Sequence, residues 1–388
     1  MGNGAAGRCG VDFQPQYQYF QPSPPPSPGR SSRDPWSLDF ECVRGELSDE
    51  NLLQRSGQQK QVCRVGEIQL SVGWSCVKGY KPNNPVLPNQ DDFLIARIGE
   101  DAVYAVFDGH GDLGHVISHA TKMFFSRVLH DRAHLWRQGW RHGKEYVVKL
   151  MDQLFRECQE YLVTAYPMET EWSGTTATVI IHYRAPKILC VAHVGDSRAV
   201  LLNPRRTPAA AHPYVGYMFG GMPLQPWEAQ ELTADHNPSN PNERRRIHHE
   251  GGMVTLDGER LAIHPPSQPT HCSSGSMLGT LFPRCQSFVG SPTLSLSRSL
   301  GDTNMQSKGL SYRPDVALVN CMEGSMLVVC TDGVWTHIRT PEAAELVAAY
   351  SSLQGIQDAS NNIVGVAWER WRMNPYVDDI TSIVAYIT

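Results

Sequence analysis

The sequence predicts an α+β fold in which antiparallel sheets are layered against helices. Three features carry that reading. Short apolar runs of strand character come in hairpin-spaced groups, longer segments with helical spacing come in pairs between them, and the alternation continues over most of the chain. With 388 residues, the chain can build one large domain or two modest ones.

Residues 1–60 stand apart. QPSPPPSPGRSSRDP (21–35) is rich in Pro and Ser and reads as a disordered arm. The opening MGNGAAGRCG offers Gly2 for N-myristoylation and Cys9 for palmitoylation, although Ala6 stands where the usual pattern has Ser or Thr. One myristoyl chain binds a membrane only marginally, so peripheral membrane association would also need Cys9.

From Ile68 the elements follow in order. The strand-like runs are IQLSVGWSC (68–76), DFLIARI (92–98), AVYAVF (102–107), TATVIIHY (176–183), ILCVAHV (188–194), RAVLL (198–202), SMLVVC (325–330) and ITSIVAYI (380–387). LGHVISHATKMFFSRVL (113–129) places apolar residues at 113, 117, 120, 124 and 128, a helical spacing, and KEYVVKLMDQLFRECQEYL (144–162) follows it. PNERRRIHHEGG (241–252) ends in glycines that can stop a helix. TPEAAELVAAY (340–350) has Thr340 as the expected N-cap with Pro341 in the first turn, and NNIVGVAWERW (361–371) precedes the last strand. Residues 203–228 and 258–293, rich in Pro, Gly and Ser, read as loops inserted in the domain.

Charge and cysteine usage exclude several functions. The net charge of −5 comes without a basic tract, which removes support for nucleic-acid binding. The ten cysteines are scattered, with no C-x-x-C pair, and none is followed six residues later by Arg. A zinc site of the usual spacing and a cysteine-dependent phosphatase loop are both disfavoured. With no apolar run near 18 residues and no secretory signal, the thiols are expected to be reduced and the protein cytoplasmic. Membrane association through an acylated N-terminus is the variant of that expectation, and a nuclear location is left open.

Carboxylates recur at strand edges. AVYAVF ends in Asp108, ILCVAHV leads into Asp196, MLVVCT ends in Asp332, Asp378–Asp379 stand before ITSIVAYI, and Asp91–Asp92 open DFLIARI. A single such Asp is ordinarily a turn residue. Several converging ones repel, by roughly 4 kcal/mol for a pair at about 4 Å and an effective dielectric near 20. Some must then stay protonated, or divalent cations must neutralise them, and oxygen-only ligands suit Mg²⁺ or Mn²⁺. Two such ions about 3.5–4 Å apart could activate a bridging water toward phosphorus.

In order along the chain, VFDGHG (106–111), SGTTA (173–177), VGDSRAVLL (194–202), LTADHNPSNPNERRRIHHEGG (232–252), LSLSRSLGD (294–302), LVVCTDGVW (327–335) and DDITSIVAYI (378–387) appear. This series resembles the motifs of the metal-dependent protein Ser/Thr phosphatases of the protein phosphatase 2C family. GYKPNNPVLPNQDDF (79–93) is similar to that family's N-terminal metal motif. The resemblance covers about residues 65–388. It implies a four-layer α/β/β/α sandwich, with two central antiparallel sheets flanked by helix pairs. It also implies a protein-serine/threonine phosphatase, acting on phosphoprotein substrates at a binuclear Mg²⁺ or Mn²⁺ centre, with a monomer as the default.

Carried over residue by residue, the resemblance makes Asp108 the bridging ligand and the Gly109 carbonyl a ligand. Asp332 and Asp378 complete the pair of sites, Asp91 binds through water, and Asp196 belongs to a third, weaker site. His110 becomes the general acid, a role suited to an imidazole because its pKa lies near working pH. Lys81 is the nearest candidate for the phosphate-gripping cation that many members supply as Arg, and a Lys lacks the bidentate fork.

The chain departs from the pattern at Asp112 (usually Gly), Gln90 (usually Glu), Thr336 (usually a third-site Asp) and Asp379 (commonly Asn). The His248–His249 pair is expected to be solvated. Thr336, Gln90 and the missing Arg favour an alternative, a catalytically impaired relative that acts as a binding or scaffold protein. The presence of every core carboxylate favours an enzyme. A metal-dependent nuclease or other phosphodiesterase fits paired metals but not this motif order.

Overall fold

The computed structural model describes residues 71–204, 227–262 and 293–388, apart from 83, 256 and 351–354. The arm at 1–60 with Gly2 and Cys9, and most of the two insertions, lie outside the described residues.

Fifteen strands and eight α-helices are named here in chain order. The strands are β1 Val72–Val77, β2 Asp91–Ile98, β3 Asp101–His110, β4 Gly174–Thr175, β5 Ala177–Tyr183, β6 Ile188–Val194, β7 Arg198–Pro204 and β8 Trp227–Glu231. Then come β9 Met253–Val254, β10 Leu261–Ala262, β11 Thr293–Leu294, β12 Leu300–Gly301, β13 Asp315–Asn320, β14 Met326–Cys330 and β15 Ile380–Tyr386. The helices are α1 Gly114–Asp131, α2 Ala133–Gly139, α3 Lys144–Ala165, α4 Pro241–His249, α5 Thr303–Gln306, α6 Asp332–Trp335, α7 Thr340–Ala348 and α8 Ile356–Trp371.

Two antiparallel sheets form the centre. One has the order β1-β15-β14-β7-β8, and the other runs β12-β4-β3-β5-β6-β13 with β2 also paired to β3. A small sheet, β11-β10-β9, stands apart from both.

Alternation along the strands builds three apolar layers. On β2, Leu94 and Ala96 join the core beneath α1 and α3, while Phe93 and Ile95 face the other sheet. Val200, Val328 and Val384 pack against α7 and α8, while Leu201, Val329 and Ile383 fill the space between the sheets. The result is the expected α/β/β/α sandwich, with helices on both outer faces.

Several local expectations are corrected. The buried stripe of α1 follows Ile117 and Ala120 but then moves to Phe125 and Leu129, leaving Phe124 and Val128 half-buried. A straight helix drifts off a fixed spacing, and the stripe moves with it. Arg339, not Thr340, occupies the N-cap of α7. Thr340 begins the helix, and its hydroxyl donates 2.5 Å to Glu231 on the edge strand β8. The strands β8 and β13 have no counterpart among the runs read from sequence. Strand β3 does not stop at Phe107 but continues through His110, because Gly109 and His110 pair with Thr175 and Gly174 on β4. Among the described helices none is long and apolar enough to cross a membrane. His248 and His249 are exposed, as expected.

One histidine gives the fold an acid limit. His182 is 2% exposed between the sheets, and its Nε2 has no hydrogen-bond partner among the described residues. Burial, helped by Arg184, pushes its pKa from 6.5 down to about 4. The unfolded chain therefore takes up a proton at a higher pH than the folded one. The stability held above pH 6.5 is lost as pH falls toward 4, by about 3 kcal/mol for this one group. Urea melts of His182→Leu and the natural protein should diverge by that amount across this window. Parallel profiles would contradict the assignment.

Candidate active site

The carboxylates picked out by sequence arrive from both sheets. Asp91 and Asp108 face each other in register on β2 and β3. Asp332 opens α6 directly after β14, and Asp378 stands two residues before β15. Asp196 lies in the turn from β6 to β7, where the chain crosses from one sheet to the other. Where the sheet ends meet, a cleft of about 550 Å³ is lined by Asp108, Gly109, His110, Asp196, Asp332 and Asp378, with Lys81 and Gln90 at one side.

Asp91 is buried below the cleft. Its Oδ2 accepts from the hydroxyls of Thr331 (2.9 Å) and Thr381 (2.7 Å), which ties the two sheets together. Its Oδ1 is buried with no hydrogen-bond partner among the described residues. Gly109 is also required by its surroundings. A Cβ there would lie 2.4 Å from the Gly114 carbonyl oxygen and 2.5 Å from that of Gln90. Only glycine lets β3 run this close to the start of α1.

The cluster carries more negative charge than its surroundings can stabilise. Burial, then Asp332, Asp91 and Asp378, push Asp108 well above the usual carboxylate range. Burial and then Asp379 do the same to Asp91. Burial followed by Asp332 and Asp235 brings Asp196 to about 8, and burial followed by Asp332 brings Asp378 to about 7. Asp332 is raised by burial even though its hydrogen bond with Asp108 and the charge of Lys81 oppose the shift. Carboxyls that hold protons near neutrality lack a counter-cation.

His110 is held by a residue that sequence reasoning did not assign. Its Nε2 lies 2.7 Å from Asp302 Oδ2, and the same oxygen accepts 2.5 Å from the Ser299 hydroxyl. Burial lowers the imidazole pKa, but the charge and hydrogen bond of Asp302 outweigh it, so the pKa stands above 6.5. Asp302 itself is 2% exposed and adopts a left-handed backbone (φ +46°). Gly174 makes room for it, since a Cβ there would lie 2.0 Å from Asp302 Oδ2. The signal in sequence was an Asp closing LSLSRSLGD with no apolar strand behind it. Asp235, also unassigned from sequence, binds Arg198 through two contacts of 2.6 and 2.7 Å and adds negative charge near Asp196 and Asp332.

The four departures and the candidate phosphate cation Lys81 have definite places. Lys81 lines the cleft, but its ammonium is engaged by Asp379 (3.1 Å), Gln90 (3.0 Å) and Asp378 (3.6 Å). Burial opposes its charge, and Asp379 and Asp378 overcome that opposition. Asp379 is 4% exposed and acts as a clasp, accepting from the amides of Gly79 (2.7 Å) and Gln90 (3.0 Å). Gln90 donates 2.6 Å to the Gly111 carbonyl, a bond a Glu carboxylate could not make. Asp112 is exposed at the loop tip, and Thr336 is exposed one turn beyond Asp332.

The donors are oxygens, crowded, undercompensated and accompanied by one orphaned buried oxygen. That chemistry fits a hard divalent cation. Among the described residues, however, no three His, Cys, Asp or Glu side chains are already grouped to hold a metal ion.

The four-layer sandwich thus brings several Asp residues and His110, held by the buried Asp302, to one cleft where its two sheets meet. A family model described as "Protein phosphatase 2C" matches residues 96–374. The chain belongs to the protein phosphatase 2C family and is a protein serine/threonine phosphatase by class, in a family that depends on metal. It is 27% identical over 298 residues to probable protein phosphatase 2C 48 of Oryza sativa subsp. japonica, covering 72% of this chain and 74% of that one. It is 26% identical over 305 residues to probable protein phosphatase 2C 65 of Arabidopsis thaliana, with 74% and 69% covered. Its fold is similar to that of a serine-threonine phosphatase 2C from Toxoplasma gondii, with a TM-score of 0.59, 18% identity, and 82% of this chain and 94% of that chain covered.

Proposed function

We propose that the cleft hydrolyses phosphoserine and phosphothreonine in proteins at a binuclear Mg²⁺ or Mn²⁺ centre. The observation that carries this reading is the meeting of Asp108, Asp332, Asp378 and the His110–Asp302 pair in one cleft. Asp108, the Gly109 carbonyl, Asp332 and Asp378 would hold two ions, with Asp91 acting through water and Asp196 serving a third. When bound, the ions supply charge neutralisation and a water of lowered pKa.

The remaining work falls to the chain's own residues. His110 Nε2 is committed to Asp302, which leaves Nδ1 to give a proton to the departing serine or threonine oxygen. Asp302 fixes the ring and favours its protonated form. Gln90 and Asp379 hold the Gly111 loop and the Lys81 segment against each other, so the acid and the carboxylates keep their spacing.

The test is phosphate release from a phosphothreonine peptide during Mn²⁺ and Mg²⁺ titrations, with an EDTA blank. Turnover that rises with metal and vanishes in EDTA is expected. No turnover from folded protein at millimolar metal would instead support the impaired binding or scaffold protein that Thr336 and the engaged Lys81 favour.

A further inference from the structure

Besides the carboxylates and His110, the cleft is lined by the apolar residues Pro82, Leu294, Leu296 and Pro375 and by Tyr376. Among the described residues, Tyr376 is the one aromatic residue of that lining other than His110 and is 46% exposed.

This tyrosine is exposed but braced. Its ring packs on Trp371, with centroids 5.3 Å apart. Trp371 is buried, donates 2.7 Å from its indole to the Gly333 carbonyl, and meets the His337 ring edge-on at 4.4 Å. Gly333 follows Asp332, so the platform under Tyr376 is anchored to the catalytic floor. On the other side, Val377 and Tyr80 exchange two backbone hydrogen bonds of 2.8 Å. An aromatic ring fixed in this way contributes contact area at little cost in ordering.

We propose that Tyr376 is a specificity-determining residue that receives an apolar side chain adjacent to the phosphorylated Ser or Thr of a peptide substrate. The proposal rests on the phosphatase reading above. A phosphoryl group held through cations at Asp108, Asp332 and Asp378 would leave a neighbouring residue of the peptide within reach of Tyr376, which lines the same cleft. The exposed Tyr376 ring, with Pro82, Leu294, Leu296 and Pro375 in the same lining, offers contact area to an apolar side chain.

The experiment uses the full chain with Mn²⁺ and two phosphothreonine peptides that differ only in Leu or Ser beside the phosphothreonine. The ratio of their kcat/KM values should favour Leu by on the order of tenfold, mostly through KM. Tyr376→Ala should bring the ratio to about one, and Tyr376→Phe should keep the preference, since the ring and not the hydroxyl makes the contact. Using a ratio cancels any change in chemistry common to both peptides. A Leu preference that survives in Tyr376→Ala, or is absent from the natural protein, overturns the proposal. If the natural protein releases phosphate from neither peptide, the phosphatase reading fails and the proposal fails with it.

Discussion

Replacing His110 by Ala should lower kcat on a phosphothreonine peptide by roughly 10²–10⁴-fold, and far less on p-nitrophenyl phosphate. A threonine alkoxide is a poor leaving group and needs a proton as it departs, whereas p-nitrophenolate leaves without one. Asp302→Asn should act through the same proton. The pair is 2.7 Å apart and buried, and Asp302 is what lifts the imidazole pKa above 6.5 against the effect of burial. A general acid works in its protonated form, so kcat falls as pH rises through that pKa. Removing the charge of Asp302 lowers the pKa, and the alkaline limb of the kcat profile should move to lower pH. A purely structural role would reduce kcat without moving the limb. Equal losses on both substrates in His110→Ala, or an unmoved limb in Asp302→Asn, would remove this pair from the chemistry.

That pair also marks where sequence reasoning reached its limit. His110 was legible because VFDGHG breaks an apolar strand abruptly with a carboxylate, a histidine and two glycines. Asp302 was not, because its role depends on a partner 192 residues away. The layers were legible because β2, β3, β5 and β14 are long or apolar enough to declare their period. Strand β13 is a half-buried edge whose Val316 and Leu318 pack under the helices while Val319 packs between the sheets, so its pattern is short and weak. Strand β8, WEAQE, carries two glutamates and is held by its pairing with β7. The Asp residues were legible as a set at strand edges that could converge, and the structure brings Asp108, Asp196, Asp332 and Asp378 to one cleft where the two sheets meet, which explains why their charges meet.

The meeting of those charges leads to the second large effect, a stability that depends on metal and pH together. The carboxyls of Asp196 and Asp378 are raised to about 8 and about 7, and those of Asp91, Asp108 and Asp332 are raised as well. A carboxyl with a raised folded pKa favours the folded state at low pH, and that contribution is lost as pH climbs through the folded value. Without a cation, the cluster therefore weakens the fold progressively up to about pH 8. A divalent ion competes with those protons and removes the repulsion, so its benefit should grow over the same range. At a concentration about 100 times its dissociation constant the gain is about 2.7 kcal/mol, or roughly 4 °C in Tm for a domain of this size. The quantity to measure is the difference in Tm between Mn²⁺ and EDTA at each pH, because the acid weakness of His182 is common to both arms and cancels. Asp378→Asn should raise Tm in EDTA, by removing one repelling charge, and should shrink the Mn²⁺ increment. If Mn²⁺ leaves Tm unchanged at pH 8, or if Asp378→Asn responds to it like the natural protein, the crowded carboxylates are not a cation site. Their cost to the fold would then need another explanation.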